Sequence, residues 1–559
     1  MSASLAEKLN SENPTWEGGR FTDGTPPTPA DKVTTPLTLR RLSNGIRVGV
    51  TASDAESQRG HLRVVAPGGR VAEQRLGFKQ GSMAVGARAM QEGGAFGEWT
   101  REQVELFCVD HLIMVEITCN EEFFTMDFVF PTTEVGNVGF GDNIKMGITG
   151  TEAVLQIVRE IIAGFEWEED ALGRSKQNFH GNHDSLFKSL EGMSSEKIMM
   201  AMTGDDARFG SLNHEDIDAV TLEEAKTAVM SQLLPSELEI SVVGDFDVPV
   251  ALDLIRKYIG TIPKDTNVQY LERAPKFKEA LLSSENDDNP TAMASPPSFV
   301  VPQLAYPGKH LDLTLEDPDP RAVAYVSGAA PNMWGYNQDG RNVAELVMEL
   351  AGNKATKFDS QRRRHPLFPQ CALSMISEIV NRRLFSNVRE KKQLTYDANF
   401  KFTGFEQIGG GYFLCTVTAS REKAEDAMEA CKETLEALIS TQPITADNLE
   451  SAKRVVVNRH EGELRTTKYL AELMSGIQLS CVPKKGPLSL TDFNAMCNAI
   501  TLDDLKLVLK SMDIRRDGFY TAIGRTVRPE GAVEVGEGED EVVVVRGPPG
   551  SSRGGPLMG

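Results

Sequence analysis

The chain has 559 residues, of which 40% are hydrophobic and 25% are charged, a composition typical of folded proteins with several domains. Its formal net charge of −21 argues against nucleic acid as a partner, because phosphates attract stripes of Lys and Arg, and it favours a basic peptide instead. The seven cysteines include no C-x-x-C pair and are expected to be free thiols. No apolar run is long enough to predict a membrane span.

The N-terminal region, residues 1–36, is polar and rich in Pro, Gly and Thr, which predicts a disordered lead-in. Its acidic residues are untypical of secretory signals and transit peptides, so no targeting segment is predicted from it. Ordered structure is expected from residue 37, and Asn44-Gly45 between two β-rich arms indicates a hairpin. Further strands and an amphipathic helix at 151–165 complete a first predicted domain, 37–264.

Residues 265–320 are rich in Pro, Ser, Asn and charge, which predicts a linker to a second domain at 321–530. The remaining residues, 531–559, are acidic and Gly-rich and are predicted to be disordered. Segments "TLEEAKTAVMSQLLPSELEISVVG" from Thr221 and "TLDDLKLVLKSMDIRRDGFYTAIG" from Thr501 align without a gap. This duplication predicts an α+β fold with two homologous domains, each containing mainly antiparallel sheet and helices.

Several motifs occur in a fixed order along residues 37–530. They include "LSNGIRV", "LRVVAPGG" and, in the second block, "LSMISEIVNRRLFSNVREKKQLTYDANF". Together they resemble the pitrilysin/insulinase family of zinc peptidases, whose members pack such repeats around a chamber that holds peptide. The resemblance implies two pitrilysin-like α/β sandwich domains joined by a linker.

The zinc motif of this family, H-x-x-E-H, is expected after the "LRVVAPGGRV" strand, where this chain has "GSMAVGARAMQEGG" (residues 81–94). By this alignment the two histidines become Ala84 and Arg88, and the glutamate becomes Ala87. None of these side chains can hold zinc. The resemblance therefore implies no metal and no catalytic residues in this chain, which is expected to be inactive alone. Zinc is expected in a partner or in a missing N-terminal half.

A second candidate metal site is "HGNHD", which places His180, His183 and Asp184 close together on a predicted helix. The second domain repeats only the His-acid pair, as His460-Glu461, and a catalytic zinc site requires a third protein ligand. A structural role is therefore favoured over an independent hydrolase that uses these histidines.

The resemblance also implies a role for Arg389 and Tyr396. In catalytic members, the matching side chains reach across the chamber to the substrate carbonyl and the developing oxyanion. The alternative is an exposed Arg and a half-buried Tyr at a junction between helix and strand. The basic run "QRRRHPLFP" (361–369) is predicted to be a solvated loop, with peptide docking as a lesser alternative.

The resemblance is most specific to the zinc-free part of chloroplast peptidases that remove transit peptides from imported precursors. It implies the substrate-clasping half of a processing metalloendopeptidase in the chloroplast stroma, with basic precursor peptides as ligands. Its expected partner is a zinc-bearing pitrilysin-like half, on the same polypeptide or on a separate subunit. The alternative is a catalytically silent member that acts as a scaffold or a peptide-binding subunit of a complex.

Overall fold

The fold contains two mixed sheets flanked by helices, together with a short two-stranded sheet. It is seen in a computed structural model that describes residues 21–22, 37–96, 99–134, 148–278, 308–352, 355–395, 397–482, 485–512 and 518–527. The predicted α+β class is confirmed.

The first sheet has seven strands in the order β1-β2-β3-β9-β4-β7-β6. Strands β3 and β9 pair in parallel, and the other neighbours are antiparallel. A separate pair, β5 with β8, lies beside it. The strands are β1 (Phe21–Thr22), β2 (Leu37–Leu42), β3 (Arg47–Ala52), β4 (Arg59–Pro67), β5 (Ala95–Phe96), β6 (Met114–Cys119), β7 (Phe123–Pro131), β8 (Phe165–Glu166) and β9 (Glu239–Gly244).

The second sheet has five strands in the order β10-β14-β11-β13-β12. Its strands are β10 (His310–Glu316), β11 (Ala322–Ala330), β12 (Asp397–Phe402), β13 (Gly411–Ala419) and β14 (Tyr520–Val527). Strand β14 is parallel to β10 and antiparallel to β11, just as β9 is parallel to β3 and antiparallel to β4. The segments that align in sequence thus end in strands that occupy equivalent places in the two sheets.

Ten α-helices lie in the described part of residues 37–278, and the one at Leu190–Thr203 packs on the second sheet. They are α1 (Gly69–Leu76), α2 (Ser82–Gly93), α3 (Arg101–Asp110), α4 (Gly150–Ala163), α5 (Glu169–Lys188), α6 (Leu190–Thr203), α7 (His214–Ala219), α8 (Leu222–Met230), α9 (Val248–Tyr258) and α10 (Val268–Glu272). Helix α4 confirms the predicted amphipathic pattern, because Val154, Ile157, Val158 and Ile161 are all buried.

Nine further α-helices lie in the described part of residues 308–527, and the one at Thr467–Met474 packs on the first sheet. They are α11 (Val343–Ala351), α12 (Lys357–Arg363), α13 (Phe368–Leu384), α14 (Ala424–Ile439), α15 (Ala446–Glu463), α16 (Thr467–Met474), α17 (Leu488–Thr491), α18 (Phe493–Ala499) and α19 (Leu502–Ser511). A π-helical segment, Phe385–Lys391, extends α13. Short 3-10 turns lie at Ile259–Thr261 and Arg421–Lys423.

The predicted hairpin at Asn44-Gly45 is confirmed by the antiparallel pairing of β2 with β3. Gly45 has a φ of +103°, a value that side chains rarely adopt. The buried Asn44 amide donates hydrogen bonds to the carbonyl oxygens of Ile259 and Ile262 at 2.9 and 3.0 Å. The turn therefore also anchors the chain that follows α9.

Some ordered elements lie in segments predicted to be irregular. Strand β1 falls within the predicted lead-in and pairs with β2. Helix α10 and strand β10 fall within the predicted linker, 265–320. The predicted tail, 531–559, lies outside the described residues.

The basic run at 361–369 is not the solvated loop expected from sequence. Arg362 and Arg363 are buried at the end of α12, and both guanidinium groups bind the carboxylate of Asp504, with Nε to oxygen distances of 2.8 Å. The arginines lower the pKa of Asp504 despite its burial. The prediction was wrong because the partner of the two arginines lies far away in sequence.

The two sheet regions are joined by buried carboxylates of the first that accept backbone N–H groups of the second. Glu122 accepts those of residues 406–408 at 2.6 to 3.0 Å, and Glu239 accepts that of Gln478 at 2.9 Å. Burial raises the pKa of each carboxyl to about 7. Contact between the two regions therefore depends on groups that are expensive to ionise.

No helix in the described ranges combines the length and the apolar character needed to cross a membrane.

Candidate functional site

Helix α2 carries the three positions that align with the zinc motif, and its N-terminus is held by a buried carboxylate. Glu73, on α1, accepts the N–H groups of Gly81 and Met83 at 2.9 and 2.8 Å. It replaces the missing side-chain cap at Gly81. Burial raises the pKa of Glu73 to about 7. The helix ends at Gly94, whose φ of +78° suits a glycine stop.

Two close contacts fix α2 against its neighbours. A Cβ on Gly86 would lie 2.7 Å from Cγ2 of Val229, so glycine lets α2 approach α8 closely. On another side, the buried Ser175 hydroxyl of α5 donates to the carbonyl oxygen of Val85 at 2.7 Å. The site is therefore built on rigid elements rather than on loops.

A cavity of about 810 Å³ lies between α2, α5 and the edge strand β6, and it is called cavity 1 below. Ala84, Ala87 and Arg88 all line it. Its other walls include residues of the three elements and of the loop before α7, namely Arg70, Gln91, residues 115 to 121, Phe179, Asn182, His183, Leu186 and residues 210 to 212.

The side chains of cavity 1 do not fit a zinc ion. Ala84 and Ala87 have no donor atoms, and the Arg88 guanidinium is a cation that pairs with Glu92, Nη2 to Oε1 at 2.6 Å. Helix α5 presents Phe179, Asn182, His183 and Leu186 to the cavity, which include no carboxylate. In the part of the chain that the structure describes, no three His, Cys, Asp or Glu side chains are grouped to hold a metal ion.

The two histidines of "HGNHD" both contact His214, and His180 also contacts a carboxylate. Nδ1 of His180 lies 2.5 Å from Nδ1 of His214, and the Nε2 atoms of these two rings lie 3.0 Å from carboxylate oxygens of Asp218 and Asp184, respectively. The His183 ring packs on the His214 ring, with centroids 4.7 Å apart. These contacts are compatible with a structural role for the histidines and do not indicate a catalytic one.

The aligned histidine of the second region has a different environment. His460 is buried, its Nδ1 lies 2.8 Å from the hydroxyl of Tyr469, and its ring packs on Phe493. Burial lowers its pKa. His460 is thus part of the packing between α15, α16 and α18.

Strand β6 is the edge of the first sheet and forms the floor of cavity 1. The side-chain amide of Gln91 approaches the backbone of β6, where it accepts the N–H of Ile117 at 3.1 Å and lies 3.5 Å from the carbonyl oxygen of Val115. Gln91 therefore occupies backbone groups that another strand could otherwise pair with.

The cavity also contains two carboxylates that have no ion-pair partner among the described residues. Glu116 is exposed on β6, and Glu121 is half-buried in the turn that follows. Arg88 pairs with Glu92, and the buried Arg70 guanidinium donates to the carbonyl oxygens of Ala207 and Gly210. Cavity 1 therefore offers two unpaired carboxylates, Glu116 and Glu121, beside the retained positive charge of Arg70.

The structure places Arg389 in the second region, away from the lining of cavity 1. It is exposed on the π-helical segment, and its guanidinium carbon lies 4.9 Å from the ring centroid of Phe385. Its side chain makes no ion pair within the described ranges and is open to solvent. Tyr396, the second predicted substrate contact, lies outside the described residues.

Sequence analysis missed Gln91, Glu116 and Glu121 as candidate site residues. The alternation of polar and apolar residues from Glu116 to Cys119 was the available signal for Glu116, because it predicts a strand with one face toward solvent. The contact of Gln91 with β6 joins elements that are separated by α3, and no local pattern indicates it.

The sequence of the chain is similar to those of known peptidases. A family model described as the peptidase M16 inactive domain matches residues 219–456. The chain is 33% identical over 501 residues to the chloroplastic stromal processing peptidase of Pisum sativum and 32% identical over 504 residues to that of Arabidopsis thaliana. Each match covers 88% of this chain, and the chain spans only 37% of the length of each relative.

Solved structures share the fold at low sequence identity. The peptidase M16 inactive domain of Pseudomonas fluorescens matches with a TM-score of 0.62 and 14% identity, covering 89% of this chain and 99% of that chain. The periplasmic protease PqqL of Escherichia coli matches with a TM-score of 0.61 and 14% identity, covering 91% and 47%, respectively. The chain therefore belongs to the M16 peptidases, the pitrilysin/insulinase family, and is related to their non-catalytic domain.

Proposed function

We propose that this chain is the substrate-clasping, non-catalytic half of a processing metalloendopeptidase that acts on basic precursor peptides. One observation carries the proposal: cavity 1 combines a helix without zinc ligands, an edge strand and two unpaired carboxylates. Such a cavity is suited to holding an extended peptide and offers no group that could cut it.

The edge strand would bind the peptide backbone, and the carboxylates would select its charge. An extended peptide that adds to a sheet edge gains main-chain hydrogen bonds, while alternate side chains enter neighbouring pockets. Glu116 and Glu121 would attract Lys and Arg side chains of the bound segment. The net charge of −21 would increase the rate of encounter with basic peptides.

The partner in this proposal is a zinc-bearing half of the same family. The relatives are longer than this chain, which supports an origin of that half in the same polypeptide or in a separate subunit. Arg389 and Tyr396 would then contact the substrate carbonyl and stabilise the developing oxyanion. The names of the relatives support processing in the chloroplast stroma, and removal of transit peptides is the process that we propose is served.

Peptide binding tests the proposal. The probe is a fluorescent ten-residue peptide with four Arg and no acidic residue, and its affinity is measured by anisotropy. The double variant Glu116→Gln/Glu121→Gln is expected to bind it about fivefold more weakly, because two partly exposed ion pairs are lost. The control double variant Asp54→Asn/Glu272→Gln loses the same charge at exposed positions outside cavity 1 and should bind normally.

If both double variants bind the basic peptide equally weakly, the loss of affinity comes from the change in net charge alone. That result would contradict a binding site in cavity 1. If the unmodified chain does not bind the basic peptide at all, the clasping function is wrong. In that case the catalytically silent scaffold is the better account.

A further inference from the structure

A second cavity, of about 840 Å³, lies in the second sheet region and is called cavity 2. It is formed by the end of α13, the π-helical segment and α15. In the duplicated fold, α13 packs on the edge strand β12 and on α15, as α2 packs on β6 and on α5. Cavity 2 therefore lies between the helices that correspond to α2 and α5, but its lining includes no residue of the edge strand β12.

The charge of cavity 2 is opposite to that of cavity 1. Its lining contains four cationic and two acidic side chains, and one of the acids, Glu378, pairs with Arg459, which does not line the cavity. Arg382 and Arg454 are exposed and make no ion pair with any described residue. Such unpaired cations in a concave surface attract anions locally, against the repulsion expected from the overall charge of −21.

Arg383 also lines the cavity, but its guanidinium is used within the fold and is not available to a ligand. The Arg383 guanidinium donates to the carbonyl oxygens of Gln442 and Pro443 and to Oδ1 of Asn448. These bonds hold the loop before α15 against α13. These hydrogen bonds hold the rim of the cavity in place, so Arg382 and Arg454 lie on a rigid part of the structure.

The lining also has apolar and amide groups. Phe385 and Val455 are 44% and 43% exposed, which is unusual for large apolar side chains and leaves apolar surface for contact, although Arg389 lies over the Phe385 ring. Asn387 and Asn448 also line the cavity. A π-helical segment is rare and occurs frequently at functional sites. This combination suits a peptide that carries both carboxylates and an apolar side chain, rather than a free inorganic anion.

We propose that cavity 2 is a second peptide site, which binds an acidic segment through Arg382 and Arg454 while an apolar side chain of that segment packs on Phe385 and Val455. The guanidinium groups would pair with carboxylates in the fork geometry that arginine favours. This site goes beyond the proposed clasping of basic peptides, because it uses other residues and the opposite charge.

The experiment measures binding of a fluorescent nine-residue peptide with four Glu and two Leu, compared with the same peptide in which Gln replaces every Glu. The unmodified chain is expected to bind the acidic peptide at least about tenfold more tightly than the Gln peptide. Arg382→Gln/Arg454→Gln is expected to remove this preference. The control Arg465→Gln removes an exposed cation outside the cavity and should retain it.

Further measurements decide the assignment. Phe385→Ser should weaken the acidic peptide, whereas competition by inorganic phosphate at equal affinity would indicate a simple anion site and overturn the proposal. Tighter binding of a ten-nucleotide single-stranded RNA than of the acidic peptide would also overturn it. Binding of the basic peptide should be unchanged in Arg382→Gln/Arg454→Gln, so failure here is distinguishable from failure of the proposed function. Thermal unfolding of each variant checks that the fold is intact.

Discussion

The side-chain carbonyl of Gln91 accepts the backbone N–H of Ile117 at 3.1 Å, so the helix aligned with the zinc motif contacts the edge strand directly. This contact partly covers the edge on which a peptide is proposed to bind. Edge strands are often protected from unwanted pairing by such devices. Gln91 would then have to be displaced when the peptide adds to β6.

Removal of this contact is expected to favour peptide binding. In Gln91→Ala, the N–H of Ile117 becomes free for an incoming strand, and affinity for the basic peptide should rise about threefold, the equivalent of one modest hydrogen bond. Anisotropy with the unmodified chain as reference measures the change. Gln74→Ala, on the exposed side of α1, is the control. An unchanged or reduced affinity in Gln91→Ala would mean that the peptide does not pair with this part of β6.

Arg389 is expected to act on the substrate and not on folding, because it is exposed and makes no ion pair in the described ranges. In a complex reconstituted with a zinc-bearing half, Arg389→Ala should lower kcat/KM for precursor cleavage about a hundredfold. The Tm of the isolated chain should not change.

Arg465→Ala provides a matched exposed arginine that lies outside both cavities. If Arg389→Ala and Arg465→Ala cleave equally well, Arg389 has no part in the active site. The proposed role would then be limited to Tyr396 or would fail.

Stability should depend on pH through Glu122. Burial raises its pKa to about 7 in the folded chain, against 4.5 for an ordinary glutamate. Between these values the folded chain holds a proton that the unfolded chain has lost, so the free energy of unfolding falls as pH rises. Each pKa unit corresponds to about 1.4 kcal/mol, which gives a contribution of about 3 kcal/mol from this residue.

Glu122→Gln has no proton to lose, and its amide oxygen can still accept N–H groups from residues 406–408. Urea unfolding at pH 4.5 and pH 8 should therefore show a smaller loss of stability in this variant than in the unmodified chain. Glu272→Gln, at an exposed position, should retain the full loss. Parallel pH dependence in all three chains would show that Glu122 ionises normally.

The cluster of Arg362, Arg363 and Asp504 is expected to be sensitive to loss of its buried carboxylate. Asp504→Asn leaves the buried Arg363 guanidinium without a charge partner among the described residues and leaves Arg362 only its pair with Asp359, so it should destabilise the chain by about 3 to 5 kcal/mol in urea unfolding. Asp312→Asn breaks an exposed pair with Arg525 and should cost less than about 1 kcal/mol. Similar effects of the two changes would contradict a buried, charged cluster.

Much of the fold could be predicted from sequence because its signals are local. The hairpin at Asn44-Gly45 depends on turn chemistry, and the buried face of α4 depends on helical periodicity. The aligned segments at Thr221 and Thr501 each form a helix followed by a strand, α8 with β9 and α19 with β14. These features require no knowledge of distant contacts.

The missed features all depend on contacts between residues far apart in sequence. Arg362 and Arg363 were assigned to solvent because Asp504 is more than a hundred residues away. Gln91 and Glu116 were not linked because only folding brings α2 against β6. The family resemblance proposes which residues align with the zinc motif, but their place in the lining of one cavity could be found only in the structure.

We expect this chain to hold a basic peptide without cutting it. The most direct test incubates the purified chain with the ten-residue basic peptide and one equivalent of zinc, measures binding by anisotropy and then measures the peptide mass. If the chain clasps peptides without cutting them, binding will be saturable and the intact peptide will be recovered. Cleavage that a chelator stops, or the absence of saturable binding, would contradict it.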